Sequence, residues 1–221
     1  MSNVRVVDII NRVSTIVVDT TKTRWPNDEL LNWFNDAVMA VVNRRPDANI
    51  ANAPFITEPA KSKQVIPSDG LRLIDVVYNT ITGTPIRKAP RNQLDDQVVN
   101  WHKSIGNTVL NYVFDERDPK TFYIYPQPAS AASIEIIYSV APAPVAISNF
   151  DSDNTTLPID DSYLNPIVDF MLHRAYSKDA DYAANAARAT QHYQVFLSEL
   201  GEKFQVDGSY NPKNNRAKTN G

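Results

Sequence analysis

Three histidines are the first residues in this chain whose chemistry suggests a metal site. They are His102, His173 and His192, and they fall on three different predicted helices. Zinc sites usually draw a pair of ligands from closely spaced positions, such as the two histidines of HxxxH. No such spacing occurs here, and the chain contains no cysteine. The pattern therefore favours separate histidines on helix faces, and we expect neither a metal ion nor another cofactor.

An acidic loop at residues 151–162 partly matches a calcium-binding loop. Asp151, Asp153 and Thr155 occupy the first, third and fifth positions of such a loop. The match fails at the sixth position, where Thr156 replaces the glycine of the sharp turn. It also fails at the last position, where Ser162 replaces the bidentate glutamate. An acidic loop ahead of a helix is the favoured interpretation.

Two carboxylate clusters raise the question of glycoside hydrolysis, which needs a pair of carboxyl groups in different roles. Asp115, Glu116 and Asp118 form the first cluster, and Asp160 and Asp161 form the second. A hydrolase would hold one carboxyl group in an apolar cleft so that its pKa rises above that of the other. The sequence around the clusters provides no such contrast. A hairpin loop and a helix cap are favoured, and the chain is not expected to be an enzyme.

Aromatic side chains near two basic residues form a possible stacking platform for bases or sugars. Phe122, Tyr123 and Tyr125 lie in one short segment, and Arg117 and Lys120 precede it. A strand with one buried face gives the same pattern. We favour the strand over the platform.

Length and composition describe a folded protein and exclude several classes. The 221 residues are 43% hydrophobic, which is ample for a packed core. A net charge of −3 argues against a dedicated nucleic-acid-binding module. The six glycines form no GxGxxG or GxxxxGK loop for a nucleotide. The longest apolar run, at 37–42, is far shorter than the roughly 20 residues of a membrane span.

Helical periodicity predicts four long helices, and the second is the best defined. Their approximate ranges are 3–19, 27–45, 162–177 and 181–204. Asn27 is a suitable N-cap for the second helix, and Pro46 ends it. Its predicted buried positions are Leu30, Phe34, Val38 and Val41. Its predicted solvent-exposed stripe is Asn32, Asn35, Asp36 and Asn43. The last helix carries an apolar row that includes Tyr193, Phe196 and Leu200.

The middle of the chain, about 64–140, reads as β-rich. The clearest hairpin joins 108–114 to 121–125, because both segments have strand character and a polar loop separates them. Residues 71–79 should form a strand with Ile74, Val76 and Tyr78 on one face. A short helix is predicted at 92–102, and 47–63 reads as an irregular crossing.

The order of these elements predicts an α+β fold. Two N-terminal and two C-terminal helices should join into a four-helix bundle, with the antiparallel β-rich middle inserted. We therefore expect a single domain over residues 1–204.

Residues 205–221, QVDGSYNPKNNRAKTNG, are polar and basic and are expected to form a flexible C-terminal arm. The candidate contact residues in it are Tyr210, Lys213, Arg216 and Lys218. These residues suit either docking on an acidic partner or a solvated terminus, and composition alone does not separate the two.

Three blocks of the chain resemble the head-to-tail adaptor proteins of short-tailed bacteriophages, the connectors beneath the portal. The first is WPNDELLNWFNDAVMAVVNRRPDA at 25–48. The second is RDPKTFYIYPQP at 117–128 with IEIIYSVAPAP at 134–144. The third is LPIDDSYLNPIVDFMLHRAYSKDAD at 157–181.

The resemblance implies a structural virion protein of the tail or neck, assembled in the host cytoplasm. It implies a homo-oligomer, a dodecameric ring that binds the portal protein and receives the tail nozzle or tail tube protein. Genomic DNA would pass through its lumen without specific binding, and no membrane would be involved. The helices would form the ring wall, and the terminal arm would reach the portal. The alternatives are a receptor-binding or fibre-attachment protein that uses the aromatic hairpin, and a virion murein hydrolase.

Overall fold

The computed structural model describes residues 3–209, which form a mixed α/β fold. The α-helices are α1 (Val6–Ile16), α2 (Asn27–Arg44), α3 (Arg91–Gln97), α4 (Leu164–Lys178) and α5 (Ala183–Ser209). The strands are β1 (Ile50–Ile56), β2 (Lys63–Val65), β3 (Gly70–Asn79), β4 (Arg87–Lys88), β5 (Ile105–Gly106), β6 (Asn111–Phe114), β7 (Thr121–Tyr125), β8 (Gln127–Pro128) and β9 (Ser133–Val140). Short 3-10 helices lie at Pro46–Ala48, Trp101–Lys103 and Asp161–Tyr163.

The chain divides into two compact units. The helical unit combines the segment that ends at Arg45 with the segment that begins at Pro142, and the β-rich unit is Pro46–Ala141. The β-rich unit thus begins well before residue 64, where sequence reasoning starts it. The grouping of both units into one adaptor domain stays a prediction. No helix within residues 3–209 is both long and apolar enough to cross a membrane.

α1 is shorter at both ends than the predicted range 3–19. At its start, Arg5 forms a bridge with Thr156 in an extended conformation. At its end, Val18 adopts a left-handed backbone with φ of 59°. The Val18 amide then donates to the carbonyl of Thr15, and the Asp19 amide donates to that of Ser14. This pair of bonds is a Schellman motif, which ends the helix at Ile16.

α2 differs from the sequence-based prediction in two details. Pro26, and not Asn27, occupies the N-cap position, and its carbonyl accepts from the amide of Leu30. The predicted solvent-exposed stripe is not exposed throughout, because the Asn35 side chain hydrogen-bonds to the backbone amide and carbonyl of Val145. Its Nδ2 donates to the Val145 carbonyl at 3.0 Å, and its Oδ1 accepts from the Val145 amide at 2.8 Å.

α4 contacts the other three long helices of the helical unit. Its buried residues include Ile167, Met171 and Ala175. Pro166 falls in its first turn, where the missing N–H has no helical partner to lose. α5 begins at Ala183 and continues to Ser209, so the helix runs past residue 204, where sequence reasoning ends it.

The β-rich unit contains three small sheets. Their strand orders are β1-β9-β3, β2-β7-β6-β4 and β5-β8. The predicted hairpin is present as β6 and β7, which pair antiparallel. The main core of this unit consists of large apolar side chains from the first two sheets, among them Leu73, Val76, Phe122, Ile124, Ile134 and Ile136.

β1 lies in the stretch that sequence reasoning assigns to an irregular crossing. It is an edge strand that pairs only with β9. The hydrogen-bonded pairs at its two ends are Asn49 with Val140 and Thr57 with Ala132. Because such pairs alternate along an antiparallel ladder, Pro54 falls at a position whose backbone faces away from β9. The missing N–H of Pro54 therefore costs the sheet no hydrogen bond, and a strand forms despite the proline.

β3 departs from the predicted alternation because its pairing with β9 shifts at three places. Sequence reasoning places Ile74, Val76 and Tyr78 on one face. In the structure Val76 is buried, whereas Ile74 and Tyr78 are exposed. The irregularities add residues to one strand and so change which side chains face the core.

The helix predicted at 92–102 is broken into two pieces. α3 ends at Gln97, and a 3-10 turn follows at Trp101–Lys103. Asn100 adopts a left-handed conformation between them, with φ of 60°.

Candidate interaction surfaces

The C-terminal part of α5 is held by the end of α2. Arg44 donates from Nη2 to the Tyr193 hydroxyl at 2.7 Å, and its guanidinium also lies over the Phe196 ring. Arg45 is buried, and its Nη1 lies 3.4 Å from the Leu200 carbonyl. Two cations at the end of α2 therefore fix the helix from which the C-terminal segment leaves.

The sequence places this arginine pair at a helix end but does not reveal its contacts with α5. Burial of an arginine normally requires hydrogen-bonding partners. One feature of the sequence does point to these contacts. Arg44 and Arg45 directly follow the apolar row of α2, so their side chains can reach the elements that this row contacts.

The predicted core residues divide between buried and partly exposed positions. Leu30, Phe34, Val38, Val41, Phe196 and Leu200 are buried. Tyr193 is partly exposed, because its hydroxyl reaches Arg44 at the surface. The predicted portal-docking residues Tyr210, Lys213, Arg216 and Lys218 lie outside the described residues.

A groove of about 850 Å³ lies beside the β6–β7 hairpin of the β-rich unit. Its walls are formed by the end of β4 and the start of α3 on one side and by the hairpin on the other. Its lining is mixed in charge, with Lys88, Arg91 and Arg117 against Asp115, Glu116 and Asp118. The groove therefore has no strong preference for one sign of charge.

The aromatic segment of the hairpin contributes mainly to packing. Phe122 is buried in the main core. Tyr123 and Tyr125 meet the Trp101 ring edge-on, with centroid distances of 6.3 and 6.5 Å. Of these three hairpin residues, Tyr123 alone lines the groove. Tyr123 and Tyr125 are both partly exposed, but the stacking platform considered from the sequence contributes only Tyr123 to the groove.

Asp115 and Asp160, one from each acidic cluster, lack the environment of a general acid. The Arg117 side chain binds Asp115 at 2.7 Å and lowers the pKa of that carboxyl group to about 2. A hydrogen bond from Ser162 lowers the pKa of Asp160. A glycosidase acid needs a raised pKa, so neither carboxyl group is suited to that role. Glu116 is largely exposed and lies 3.9 Å from Arg72, which is not an apolar cleft.

The three histidines occupy separate environments. His173 lies 3.0 Å from the Ala189 carbonyl, and His192 lies 2.7 Å from Asp169, both in the helical unit. His102 stacks on Trp101 in the β-rich unit. Within residues 3–209, no three side chains of the types His, Cys, Asp and Glu come together in a metal-binding group.

Comparison with known proteins identifies the family. A search of curated proteins finds no match. A family model described as SU10 adaptor protein matches residues 4–217. That range includes nearly all of both units and extends past Ser209 into the C-terminal segment. The chain therefore belongs to the SU10 adaptor protein family, a family of phage adaptor proteins.

Proposed function

We propose that this protein is the head-to-tail connector of a short-tailed phage. It forms a dodecameric ring that binds the portal protein on one side and the tail nozzle or tail tube protein on the other. Its lumen is part of the DNA channel. The role is structural and involves neither catalysis nor a cofactor.

The observation that carries this proposal is the extent of the family match. The match runs to residue 217, so the family shares the segment that contains Tyr210, Lys213 and Arg216. A solvated terminus that binds nothing need not be part of the segment that a family has in common. The proposal therefore assigns portal docking to the arm, with Lys218 as a further cation just beyond the match.

The ring wall in this proposal is a four-helix bundle of α1, α2, α4 and α5. The contacts of α4 with the other three helices support this arrangement. The anchoring of α5 by Arg44 and Arg45 also supports it, because an arm transmits force to a ring only if its root is fixed.

Passage of DNA requires a lumen that does not retain the phosphate backbone. The formal net charge of the chain is −3, which disfavours a strong non-specific attraction to DNA. DNA is thus a transient occupant of the channel and not a specific partner.

Fibre attachment is a second candidate function, and the groove beside the β6–β7 hairpin favours it. The groove is large enough for side chains of another protein, and Tyr123 lies in its wall. The two functions are compatible, because they use different residues: the groove belongs to the β-rich unit, whereas the arm follows α5 of the helical unit. A murein hydrolase is disfavoured by the lowered pKa values of Asp115 and Asp160.

Binding to isolated portal rings tests the proposal. Purified protein mixed with portal rings should sediment with them, and electron microscopy should show an added ring on one face. A protein that leaves portal rings undecorated would overturn the connector assignment. Binding to fibre proteins without binding to portals would favour the second candidate.

A further inference from the structure

Val18 is unfavourable in both its backbone conformation and its exposure. It occupies the left-handed position of the Schellman motif, where a β-branched residue is strained. Its side chain is 88% exposed, so it gains almost nothing from packing within the chain. Folding alone therefore does not account for a valine here. The strained backbone together with the exposure distinguishes Val18 from other exposed apolar residues, and its side chain is available for contact with another protein.

The surroundings of Val18 have the composition of an interface. Val18, Arg24, Tyr176 and Arg188 line one cavity of about 190 Å³ in the helical unit. Arg24 forms an ion pair with Asp179. The Arg188 guanidinium lies over the Tyr176 ring, 5.7 Å from its centroid. Among residues 3–209 no acidic side chain pairs with Arg188. This end of the helical unit, here called the Val18 surface, thus combines an apolar projection with a cation that has no acidic partner among the described residues.

The end of α3 in the β-rich unit presents the opposite combination. Val99 follows α3 and is 83% exposed. Asp96, in the last turn of α3, is exposed and has no cationic partner within the described residues. The α3 end, residues 96–99, therefore pairs an apolar projection with an uncommitted anion.

We propose that the Val18 surface of one copy binds the α3 end of a second copy. Val18 and Val99 make the apolar contact, and Arg188 pairs with Asp96. The proposal deepens the ring assigned above and rests on it. Because the two surfaces differ, the contact is head-to-tail, and repetition with a suitable rotation closes into a ring. The charge pair fixes orientation and the rate of encounter more than it adds affinity.

Disulfide trapping between copies tests this contact, because the chain contains no cysteine of its own. Val18→Cys protein is mixed with Val99→Cys protein in the presence of isolated portal rings and a mild oxidant, and the disulfide-linked dimer that contains one copy of each is measured by mass spectrometry. This product, here called the 18–99 dimer, should form only slowly unless the two positions meet in a bound complex.

The matched control replaces the Val99→Cys protein with Ile81→Cys protein, since Ile81 is 86% exposed and lies outside both surfaces. The 18–99 dimer should form several-fold faster than the dimer linked through positions 18 and 81. Equal rates would overturn the proposal. Melting curves of each variant establish that the compared proteins are folded.

Charge exchange provides a second, independent measurement. Adding Arg188→Glu to the Val18→Cys protein should slow formation of the 18–99 dimer several-fold. Adding Asp96→Lys to the Val99→Cys protein should restore the rate. A rate that is unchanged by Arg188→Glu would contradict the assigned charge pair.

The same variants separate this inference from the connector assignment. Rings that form on portals but yield no 18–99 dimer would overturn the inference and leave the connector assignment intact. An 18–99 dimer from protein that does not bind portals would support the contact between copies and overturn the connector assignment.

Discussion

At the scale of single residues, Val18 combines an unfavourable backbone conformation with an exposed side chain. A left-handed conformation is unfavourable by about 1–2 kcal/mol for a residue with a Cβ atom. Glycine removes that strain but increases the entropy of the unfolded chain, which offsets about 0.4–1 kcal/mol. Val18→Gly should therefore raise the free energy of unfolding by up to about 1.6 kcal/mol in denaturant titrations.

The control for Val18→Gly is Val99→Gly. Val99 is similarly exposed but its φ is not positive, so glycine there should only destabilise the fold. If both glycine variants lost stability equally, the strain assigned to Val18 would be absent.

Glu199 in α5 gives the protein a pH-dependent contribution to stability. Partial burial, together with Asp169 and Glu202, raises its pKa above the ordinary value of 4.5, while Arg12 acts in the opposite direction. Its Oε2 has no hydrogen-bond partner within the described residues. A raised pKa in the folded state favours folding below pH 4.5, and this contribution is lost as the pH rises through the folded pKa.

Glu199→Gln should remove this loss. In urea titrations the variant should gain stability relative to the parent as the pH is raised above 4.5, and the gain should level off above the folded pKa. Glu116→Gln, at a largely exposed position, is the matched control for removal of a carboxylate. A parallel pH dependence of the parent and Glu199→Gln would refute the assignment.

Residue chemistry could be predicted from the sequence better than residue conformation. The lowered pKa values of Asp115 and Asp160 fit the polar context of the two clusters, which is visible in the sequence. The positive φ of Val18 does not follow from the sequence, because valine is a residue that disfavours it. The two bonds from Asn35 to Val145 could not be predicted for another reason: they join positions far apart in the chain.

At the scale of elements, α2 is the best-supported helix, and its central aromatic residue provides a test. Phe34 is fully buried, so Phe34→Ala should lower the free energy of unfolding by about 3–5 kcal/mol through lost burial and a cavity. Asn32→Ala, on the exposed side of the same helix, should change it by less than about 0.5 kcal/mol. Equal denaturation midpoints for the two variants would contradict the placement of α2.

The junction between α5 and the arm suggests where to truncate the chain. Removal of residues 210–221 leaves α5 intact to Ser209 and keeps its contacts with Arg44 and Arg45. The truncated protein should melt at nearly the same temperature as the parent but fail to decorate portal rings.

Salt provides a control for this truncation. The cations Lys213, Arg216 and Lys218 should make portal binding by the full chain weaken as ionic strength rises. Truncated protein that still binds portals normally would assign the attachment to the folded units instead.

Elements with strong periodicity could be predicted, and elements defined by long-range pairing could not. The four long helices and the β6–β7 hairpin are encoded locally, by apolar spacing and turn residues. β1 depends on β9, which lies far along the chain, and its alanine, asparagine and proline residues carry little strand propensity. The bulges of β3 likewise depend on its partner strand.

At the scale of the whole molecule, the exposed apolar side chains bear on oligomeric state. Within the described residues they include Val18, Ile81, Val99 and Ile105, which belong to different elements. Obligate oligomers instead bury large apolar interfaces. The isolated protein should therefore be a monomer or small oligomer at micromolar concentration and form a ring only on the portal. Light scattering that detects a stable dodecamer without portal would show this to be wrong.

The order of elements along the chain and the adaptor family were both accessible from the sequence. The division into two compact units is harder to predict from the sequence, because the boundary at Pro46 coincides with a helix end and resembles an ordinary loop. The contacts of Arg44 and Arg45 with α5 could not be predicted for the same reason as β1, because they join residues about 150 positions apart in the chain.

Pro54 has a consequence for any assembly in which many copies of this chain lie side by side, as in the proposed ring. The outward edge of β1 presents the backbone groups of Ile50, Asn52 and Ile56 away from β9, and flat edges of this kind promote sheet-to-sheet aggregation. A proline in the middle of that edge withholds one donor and places its ring where an incoming strand would lie. In the proposed ring the local concentration of such edges would be high, and Pro54 would there favour ring assembly over sheet-to-sheet aggregation.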